Sequence, residues 1–236
     1  MKGKRLICQK DGYDGDPPEL KDILVKDSVL FLTQSIDRPW EPPGWLPRRW
    51  YPTDNLYPFP EPDYQASFTY NTLWDYAPRQ AKRNKVSNVW AEFGVMSGGT
   101  ARVWHRKLPE DGKLYLYDSF IGLPEQWNDA KAGHFTCNGK VPAFNDPRIV
   151  IKKGWFKDTL PLDDLLGFVH IDCDLYSSTK DALAGINVAK GTVILFDEFW
   201  GIPGWEENEY KALMEWDRPF KFLARDKRCR AVIEVL

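Results

Sequence analysis

Acidic side chains close two apolar runs of the sequence, and they have the clearest chemical potential in the chain. His170, Asp172 and Asp174 end one run, and Asp197 and Glu198 end the next. Because strand residues alternate between faces, the first three side chains share one face. The interval from Asp172 to Asp197 is 197 − 172 = 25 residues, long enough for one helical crossover. Carboxylates at neighbouring strand ends repel unless a cation lies between them, and such oxygen ligands suit Mg²⁺, Mn²⁺ or Ca²⁺.

Structural roles are the alternative for several of these residues. Asp174 precedes Ser177, and Glu198 precedes a glycine turn, so each could cap the helix that follows. His170 lies inside its predicted strand, where a hydrogen-bonded histidine of the core or of a pocket wall suits the pattern better than a metal ligand does. The paired strand ends still predict a hard divalent cation.

A glycine turn forms the second chemical feature. The run from Val89 to Phe93 predicts a buried strand, after which Gly94 permits a sharp turn or a close approach to a ligand. Gly98, Gly99 and Thr100 then open a predicted helix, whose first N–H groups are free to bind polar ligand atoms. The spacing G-x-x-x-G-G does not match the dinucleotide pattern G-x-G-x-x-G. A strand–helix turn without a ligand is therefore the alternative.

An acid after the second predicted strand favours the ligand. Lys113 to Tyr117 predicts that strand, and Asp118 follows it at 118 − 94 = 24 residues from Gly94. In open α/β sheets an acid about 20 residues beyond the glycine turn holds the ribose of a nucleotide. A turn or cap role for Asp118 is also possible, and the two roles are compatible.

The third predicted strand, Ile149 to Lys153, ends at residues suited to an adenine ring. Gly154 follows it, and Trp155 and Phe156 offer flat apolar faces. Packing of Trp155 in the core is the equal alternative. Together, the three strand ends predict a nucleotide-like ligand at one edge of the sheet.

The order of the predicted elements indicates a doubly wound α/β fold. Five strands precede the last predicted helix, and the fifth, Thr192 to Phe196, is apolar throughout, as in parallel strands covered on both faces. The final two strands, Phe220 to Ala224 and Ala231 to Val235, are separated only by Arg225 to Arg230. This gap is too short for a parallel crossover, so the two strands must pair antiparallel. Two of the predicted helices span Ser178 to about Ala189 and Glu206 to Trp216.

Composition limits the partners and the compartment. The length of 236 residues favours one α/β domain with an extension. The net charge of −2 excludes a general electrostatic attraction to nucleic acid or anionic membranes. No apolar run of about 18 residues and no signal peptide is recognisable. The cysteines form no C-x-x-C pair and are predicted to be reduced thiols of a cytoplasmic protein; they are Cys8, Cys137, Cys173 and Cys229.

The first third of the chain is rich in proline and tryptophan. Between Pro39 and Pro60 the proline density excludes helix and sheet interiors, although the aromatic side chains need burial. We expect residues 1–64 to form an arm that packs on the core or on a second subunit. In the second case the protein would be a homo-oligomer. A lid over the substrate is the alternative.

Five motifs follow one another in the sequence. They are Glu92-Phe93-Gly94-Val95, Asp118-Ser119-Phe120 with Gly122-Leu123-Pro124, Gly154-Trp155-Phe156-Lys157-Asp158-Thr159-Leu160-Pro161, His170-Ile171-Asp172-Cys173-Asp174-Leu175-Tyr176-Ser177-Ser178-Thr179 and Phe196-Asp197-Glu198-Phe199. Taken in order, they resemble the macrocin O-methyltransferase (TylF/MycF-type) family of class I S-adenosylmethionine-dependent methyltransferases. The resemblance covers about residues 86–216.

The resemblance implies a Rossmann-like, mostly parallel seven-stranded sheet with an antiparallel last strand. The methyltransferase domain would span residues 65–236 and bind S-adenosylmethionine (SAM), with Mg²⁺ on Asp172, Asp197 and Glu198. The pair Asp197-Glu198 stands where family members often have two aspartates. The predicted cofactor contacts are Glu92, Gly94, Val95, Gly98, Thr100, Asp118, Ser119, Gly154, Trp155 and Phe156.

The implied reaction is methyl transfer to a hydroxyl of a small molecule, with a sugar as one candidate acceptor. Asp172 or His170 would accept the hydroxyl proton. Family members methylate macrolide sugars, but the N-terminal third has no recognisable counterpart, so that substrate is not carried over. Two other readings stand beside this one: a catalytically silent SAM-binding or oligomerising module, and another nucleotide-using α/β enzyme.

Overall fold

The computed structural model describes residues 72–225 and 229–236, together with two short strands earlier in the chain. These are β1, Cys8–Gln9, and β2, Gly12–Tyr13, which pair antiparallel. The predictions for the proline- and tryptophan-rich arm, including its lid and oligomer roles, lie outside the described residues. Within the described residues, no helix is long and apolar enough to cross a membrane.

A seven-stranded sheet forms the centre of the described fold. Its strand order is β5-β4-β3-β6-β7-β9-β8, in which β3 to β7 run parallel and β9 pairs antiparallel with both β7 and β8. The predicted fold class is therefore confirmed, including the antiparallel last strand. The strands are β3 Val89–Phe93, β4 Lys113–Asp118, β5 Ile149–Lys153, β6 Leu162–Ile171, β7 Ile186–Phe196, β8 Phe220–Arg225 and β9 Ala231–Val235.

Helices cover both faces of the sheet. Helices α1 and α2 pack on one apolar cluster and α4 and α5 on the other, so that neighbouring strand residues point into different layers. In β3, for example, Trp90 faces the first cluster and Phe93 the second. Burial of these two apolar layers is the main force that holds the three layers together. The helices are α1 Thr72–Asn84, α2 Gly99–Lys107, α3 Phe156–Thr159, α4 Tyr176–Gly185 and α5 Glu209–Met214.

The direction of chain winding reverses at β3. The connection after β3 leads to β4 on one side, and the connection after the neighbouring β6 leads to β7 on the other side. These two connections diverge and leave a crevice at the carboxyl ends of β3 and β6. Such a switch point is where open α/β sheets bind ligands. The glycine turn, Asp118 and the acidic strand ends all lie at this edge.

Two helices have boundaries that differ from the prediction. The helix predicted to reach Ala189 ends at Gly185, because Ile186 begins β7 and pairs with Leu162 of β6. A side chain at position 185 would approach Leu160 within 2.7 Å, so glycine allows this tight junction. The helix predicted from Glu206 to Trp216 is a short 3₁₀ turn, Trp205–Glu207, followed by α5. Pro78 lies within the continuous helix α1.

The cysteines also differ from expectation. Cys229 is disulfide-bonded, whereas Cys137 and Cys173 are free thiols. The prediction that all four cysteines are reduced is therefore wrong for Cys229. The absence of a C-x-x-C pair in the sequence indicates nothing about bonds between distant cysteines. The cytoplasmic location inferred in part from those thiols stays a prediction.

Candidate cofactor and metal site

Gly94 joins the strand ends that form the site. Its φ of 92° is unfavourable for other residues, and a Cβ placed there would lie 1.7 Å from the carbonyl oxygen of Asp172. The Gly94 N–H donates to the Tyr117 carbonyl at 3.0 Å, and the Asp172 N–H donates to the Phe93 carbonyl at 2.8 Å. The ends of β3, β4 and β6 therefore meet in backbone contact, with no space for a side chain between them.

The carboxylate of Asp118 organises the loop after Gly94. Its Oδ2 accepts hydrogen bonds from the N–H groups of Val95 and Met96, each at 2.7 Å. Its Oδ1 accepts one from the Phe120 N–H at 2.6 Å. The predicted turn role of Asp118 is thus observed. Its contact with a ribose stays a prediction that this geometry permits, because a carboxylate offers about four lone-pair positions.

A cavity of about 740 Å³ lies above these strand ends. Its volume is within the range of about 300–1,000 Å³ that small-molecule sites occupy. The predicted cofactor residues that line it are Gly94, Val95, Thr100, Asp118, Ser119, Gly154, Trp155 and Phe156. Gly98 does not line it; this residue is the left-handed N-cap of α2, at φ 82°.

Glu92 and His170 lie behind the cavity. Both are fully buried, and neither is part of the cavity lining. The Trp104 indole N–H donates to Oε1 of Glu92 at 3.2 Å, and Nδ1 of His170 lies 3.1 Å from the same oxygen. The predicted contact of Glu92 with a cofactor and the predicted proton transfer to His170 therefore gain no support from this placement.

The three predicted metal ligands come together. Asp172, Asp197 and Glu198 each offer an oxygen, and these oxygens lie within 4.8 Å of one another. Asp172 and Glu198 line the cavity, whereas Asp197 does not. Asp172 also forms a second group of this size with Glu92 and His170.

Basic and aromatic side chains hold Asp197 on the side away from the cavity. Its Oδ1 accepts a hydrogen bond from the Trp74 indole at 3.4 Å and lies 3.7 Å from Nε2 of His170 and 3.8 Å from Nε of Arg230. Glu198 has no such support: its Oε2 is buried without a hydrogen-bond partner in the described part of the chain. An unpaired buried carboxylate oxygen beside two further acids fits a hard cation, since Mg²⁺ and Ca²⁺ bind oxygen ligands.

The charges of the site do not cancel by themselves. Burial raises the pKa of Asp172 well above its usual range, as does the neighbouring charge of Asp197. Burial and adjacent acids raise the pKa of Glu198 in the same way. Burial alone would lower the pKa of His170, but Asp197 and Glu92 raise it to about 10. These shifts favour a charged His170 beside Asp197, and they favour protons or a metal ion at Asp172 and Glu198.

Several lining residues were not predicted. The connection between β4 and β5 contributes Leu123, Pro124 and Phe135, and this loop is held by the Leu123 N–H, which donates to the His134 carbonyl at 2.9 Å. Leu123 and Pro124 belong to a motif of the resemblance, which is a signal that could have identified them. Phe135 lies in an irregular segment with no periodic pattern. Gly99 and Asp174, which the sequence analysis considers for a ligand and a cation, also line the cavity. The remaining lining residues are Met96, Ser97, Gly122, Lys157, Cys173, Ser177, Ser178 and Asp181.

Comparison with known protein families identifies the family of this chain. The model of the macrocin-O-methyltransferase (TylF) family matches residues 74–221. The chain belongs to this family. The TylF match includes the glycine turn, Asp118 and the three acids, and it ends before β9.

Two curated relatives have names that describe methyl transfer to oxygen. Demethyldecarbamoylnovobiocin O-methyltransferase of Streptomyces niveus is 28% identical over 157 residues, which is 55% of this chain and 60% of that protein. The 8-demethyl-8-(2,3-dimethoxy-alpha-L-rhamnosyl)-tetracenomycin-C 4'-O-methyltransferase of Streptomyces olivaceus is 28% identical over 134 residues, 46% of this chain and 51% of that protein. The match thus spans less than two thirds of either relative.

One solved structure has a more remote similarity in sequence and fold. The SAH-bound methyltransferase PaMTH1 of Podospora anserina has 16% sequence identity and a TM-score of 0.45, over 71% of this chain and 80% of that one. This likeness is too distant to bear on function.

Proposed function

We propose that the protein is a SAM-dependent O-methyltransferase that methylates a hydroxyl of a small molecule with the help of a divalent cation. One observation carries the proposal: a single cavity is lined both by Gly94 and Asp118 and by Asp172 and Glu198. A cofactor and a metal-bound acceptor could therefore meet within it. Membership of the TylF family supports the same reaction.

The lining around Asp118, Trp155 and Phe156 suits a nucleoside. Asp118 would accept the ribose hydroxyls, and Trp155 and Phe156 would stack beside the adenine. SAM supplies a methyl group on a positively charged sulfur, so the main tasks of the protein are to align this group with the acceptor and to exclude water. The apolar rings and the closely packed turn at Gly94 serve both tasks.

The group of three acids suits the activation of a hydroxyl. A neutral alcohol is a weak nucleophile, and a cation held by Asp172, Asp197 and Glu198 would lower the pKa of a bound hydroxyl. Asp172 lines the cavity and is the side chain that we propose as the proton acceptor. His170 is fully buried, and we propose that it holds Asp197 in place.

The acceptor is proposed to be a sugar hydroxyl on a glycosylated small molecule. The name of the S. olivaceus relative includes a rhamnosyl group that is methylated at its 4' oxygen. Two features of this chain suit such a substrate. Asp172, Asp197 and Glu198 could hold a cation that neighbouring hydroxyls of a sugar chelate. Leu123, Pro124 and Phe135 offer an apolar wall for the remainder of the molecule.

Two measurements test this function. Isothermal titration with SAM, S-adenosylhomocysteine and NAD should show binding of the first two only. A transfer assay with labelled SAM and a panel of glycosides should then show methylation that requires Mg²⁺ and stops with EDTA. Binding of NAD, or of no nucleotide, would contradict the cofactor assignment. SAM binding without transfer to any hydroxyl would favour the catalytically silent module.

A further inference from the structure

Glu209 is a buried carboxylate that the proposed function does not use. It is the first residue of α5, and its exposed fraction is 0%. Neither of its carboxylate oxygens has a hydrogen-bond partner in the part of the chain that the structure describes. Burial of an acid without a partner is strongly unfavourable, so a residue that improves binding or catalysis is the expected reason for its presence.

Glu209 interacts electrostatically with the acids of the candidate metal site. Burial first, and then the charges of Asp174, Asp172 and Asp197, raise the pKa of Glu209, and Glu209 is among the acids that raise the pKa of Glu198. The next residue, Tyr210, packs edge-on against Phe199 with ring centroids 5.4 Å apart. This contact holds the start of α5 against the chain that leaves β7, directly after Glu198.

The distance from the three-ligand group decides what Glu209 can do. Its oxygens are not part of the group in which Asp172, Asp197 and Glu198 lie within 4.8 Å of one another. It is therefore placed outside the direct ligands of one small ion. Mg²⁺ usually keeps several of its water molecules in proteins, and these waters need acceptors. A buried carboxylate with two unpaired oxygens is such an acceptor.

We propose that Glu209 is the fourth carboxylate of the cation site and accepts hydrogen bonds from water bound to the ion. This inference rests on the cation of the proposed function. Together with Glu198, whose Oε2 is also unpaired, Glu209 would close the side of the site next to α5. Its role is to position the hydrated cation, not to contact the substrate.

The test measures cation binding directly and needs no turnover. Isothermal titration with MgCl₂, and melting curves in EDTA and in MgCl₂, are compared for wild type, Glu209→Gln and Glu209→Met. We expect the Kd for Mg²⁺ to rise about 10–100-fold in both variants, as is usual when a partner of metal-bound groups is removed. In EDTA both variants should melt at or above the wild-type temperature, because a repelled buried acid has been removed.

Two controls make the result specific. Glu206→Gln changes the same charge three positions earlier, on a side chain that is only partly buried, and should bind Mg²⁺ like wild type. Asp172→Asn removes a direct ligand and should bind Mg²⁺ more weakly than either Glu209 variant.

Other outcomes separate this inference from the proposed function. If wild type binds Mg²⁺ and both Glu209 variants bind it within twofold of wild type, the role of Glu209 is wrong and the cation site stands. Variants that melt lower in EDTA with an unchanged Kd would show that Glu209 is only structural. If wild type binds neither Mg²⁺, Mn²⁺ nor Ca²⁺, the cation and this inference fail together, while SAM binding is judged by its own titration.

Discussion

At the scale of single residues, the acids at the end of β6 and β7 divide into two kinds. Asp197 accepts a hydrogen bond from Trp74 and lies near the basic side chains of His170 and Arg230, which compensate its charge. Asp172 and Glu198 face the cavity, and burial raises the pKa of each. The first acid can remain charged without a metal ion, whereas the other two gain most from one.

Replacement of Asp172 should separate the metal site from the cofactor site. Asp172→Asn keeps the shape of the side chain and removes its charge, so Mg²⁺ should no longer raise the melting temperature. Methyl transfer should fall by two orders of magnitude or more, since several kcal/mol of charge stabilisation are lost. SAM should bind as before, because its predicted contacts lie at Gly94 and Asp118. Loss of SAM binding in the titration would show that the two sites are not separable.

Replacement of Asp118 should affect the cofactor site alone. Asp118→Ala removes a predicted contact with the ribose and also the acceptor for the N–H groups of Val95 and Met96. We expect SAM binding to weaken by about 1.5–3 kcal/mol, the usual value for a hydrogen bond to a charged group. The exposed Asp129→Ala is the matched control. Equal SAM affinity in both variants, with both folded, would contradict the ribose role.

The sequence predicted the composition of the site better than the direction of each side chain. Strand alternation predicted His170, Asp172 and Asp174 on one face, but β6 ends at Ile171, so the alternation stops before the two acids. It also could not show that Trp104 of α2 packs against His170, which is fully buried. Glu92 is hidden for the same reason, since Trp104 of α2 donates to it. Phe135 reaches the cavity through a long irregular connection, and neither periodicity nor propensity describes such a path.

At the scale of elements, the strand–turn–helix unit of β3, Gly94 and α2 connects the two halves of the site. A side chain at position 94 would have to displace the Asp172 carbonyl. The predicted cofactor loop and the proposed metal ligand Asp172 therefore depend on one backbone contact. Motifs and spacing predicted this unit well, because glycine has few other reasons to occur between a buried strand and a helix.

Gly94→Ala is expected to damage both halves at once. The Cβ would meet the Asp172 carbonyl at 1.7 Å, at a φ of 92°. The melting temperature, SAM affinity and Mg²⁺ response should all decrease, since β3 and β6 must separate at their ends. Gly99→Ala is the control for stability: a Cβ there meets nothing within 4 Å, and alanine favours the first turn of α2. A Gly94→Ala protein that melts and binds like wild type would refute the contact.

Element boundaries were predicted less well than element types. The predicted helix continues to about Ala189, yet Asn187 and Ala189 belong to β7 because β6 extends back to Leu162 and offers them a partner strand. Long-range pairing of this kind overrides local preference. The short gap before Ala231 was a stronger signal, since it permits only an antiparallel return, and the order β7-β9-β8 agrees with it.

At the scale of the whole molecule, the fold brings negative charge to one edge of the sheet. The net charge of the chain is only −2, but Asp172, Asp174 and Glu198 follow the carboxyl ends of β6 and β7, and their charges act on the buried Glu209 of α5. Such a concentration opposes folding unless protons or a cation neutralise it. The stability of the molecule should therefore respond to pH and to Mg²⁺ together.

Without a metal ion, stability is expected to fall as the pH rises above about 5. Burial and neighbouring acids raise the pKa values of Asp172, Glu198 and Glu209, so the folded chain holds protons that the unfolded chain releases above about pH 4. His170 acts in the same direction, because the pKa rises to about 10 on folding. Asp197 has a lowered pKa, but the stability that it adds is complete above the unfolded value of about 4.

Mg²⁺ should reverse much of this loss, because the ion replaces the protons of the acids that it binds. Melting temperatures in EDTA should decrease from about pH 5.5 to about pH 8.5, and the increase produced by Mg²⁺ should grow over the same range. Asp172→Asn, measured beside wild type, should show a smaller decrease in EDTA and no Mg²⁺ response at any pH. A wild-type Mg²⁺ effect of constant size across this range would mean that the ion does not compete with protons at these carboxylates, and the metal would have to bind elsewhere.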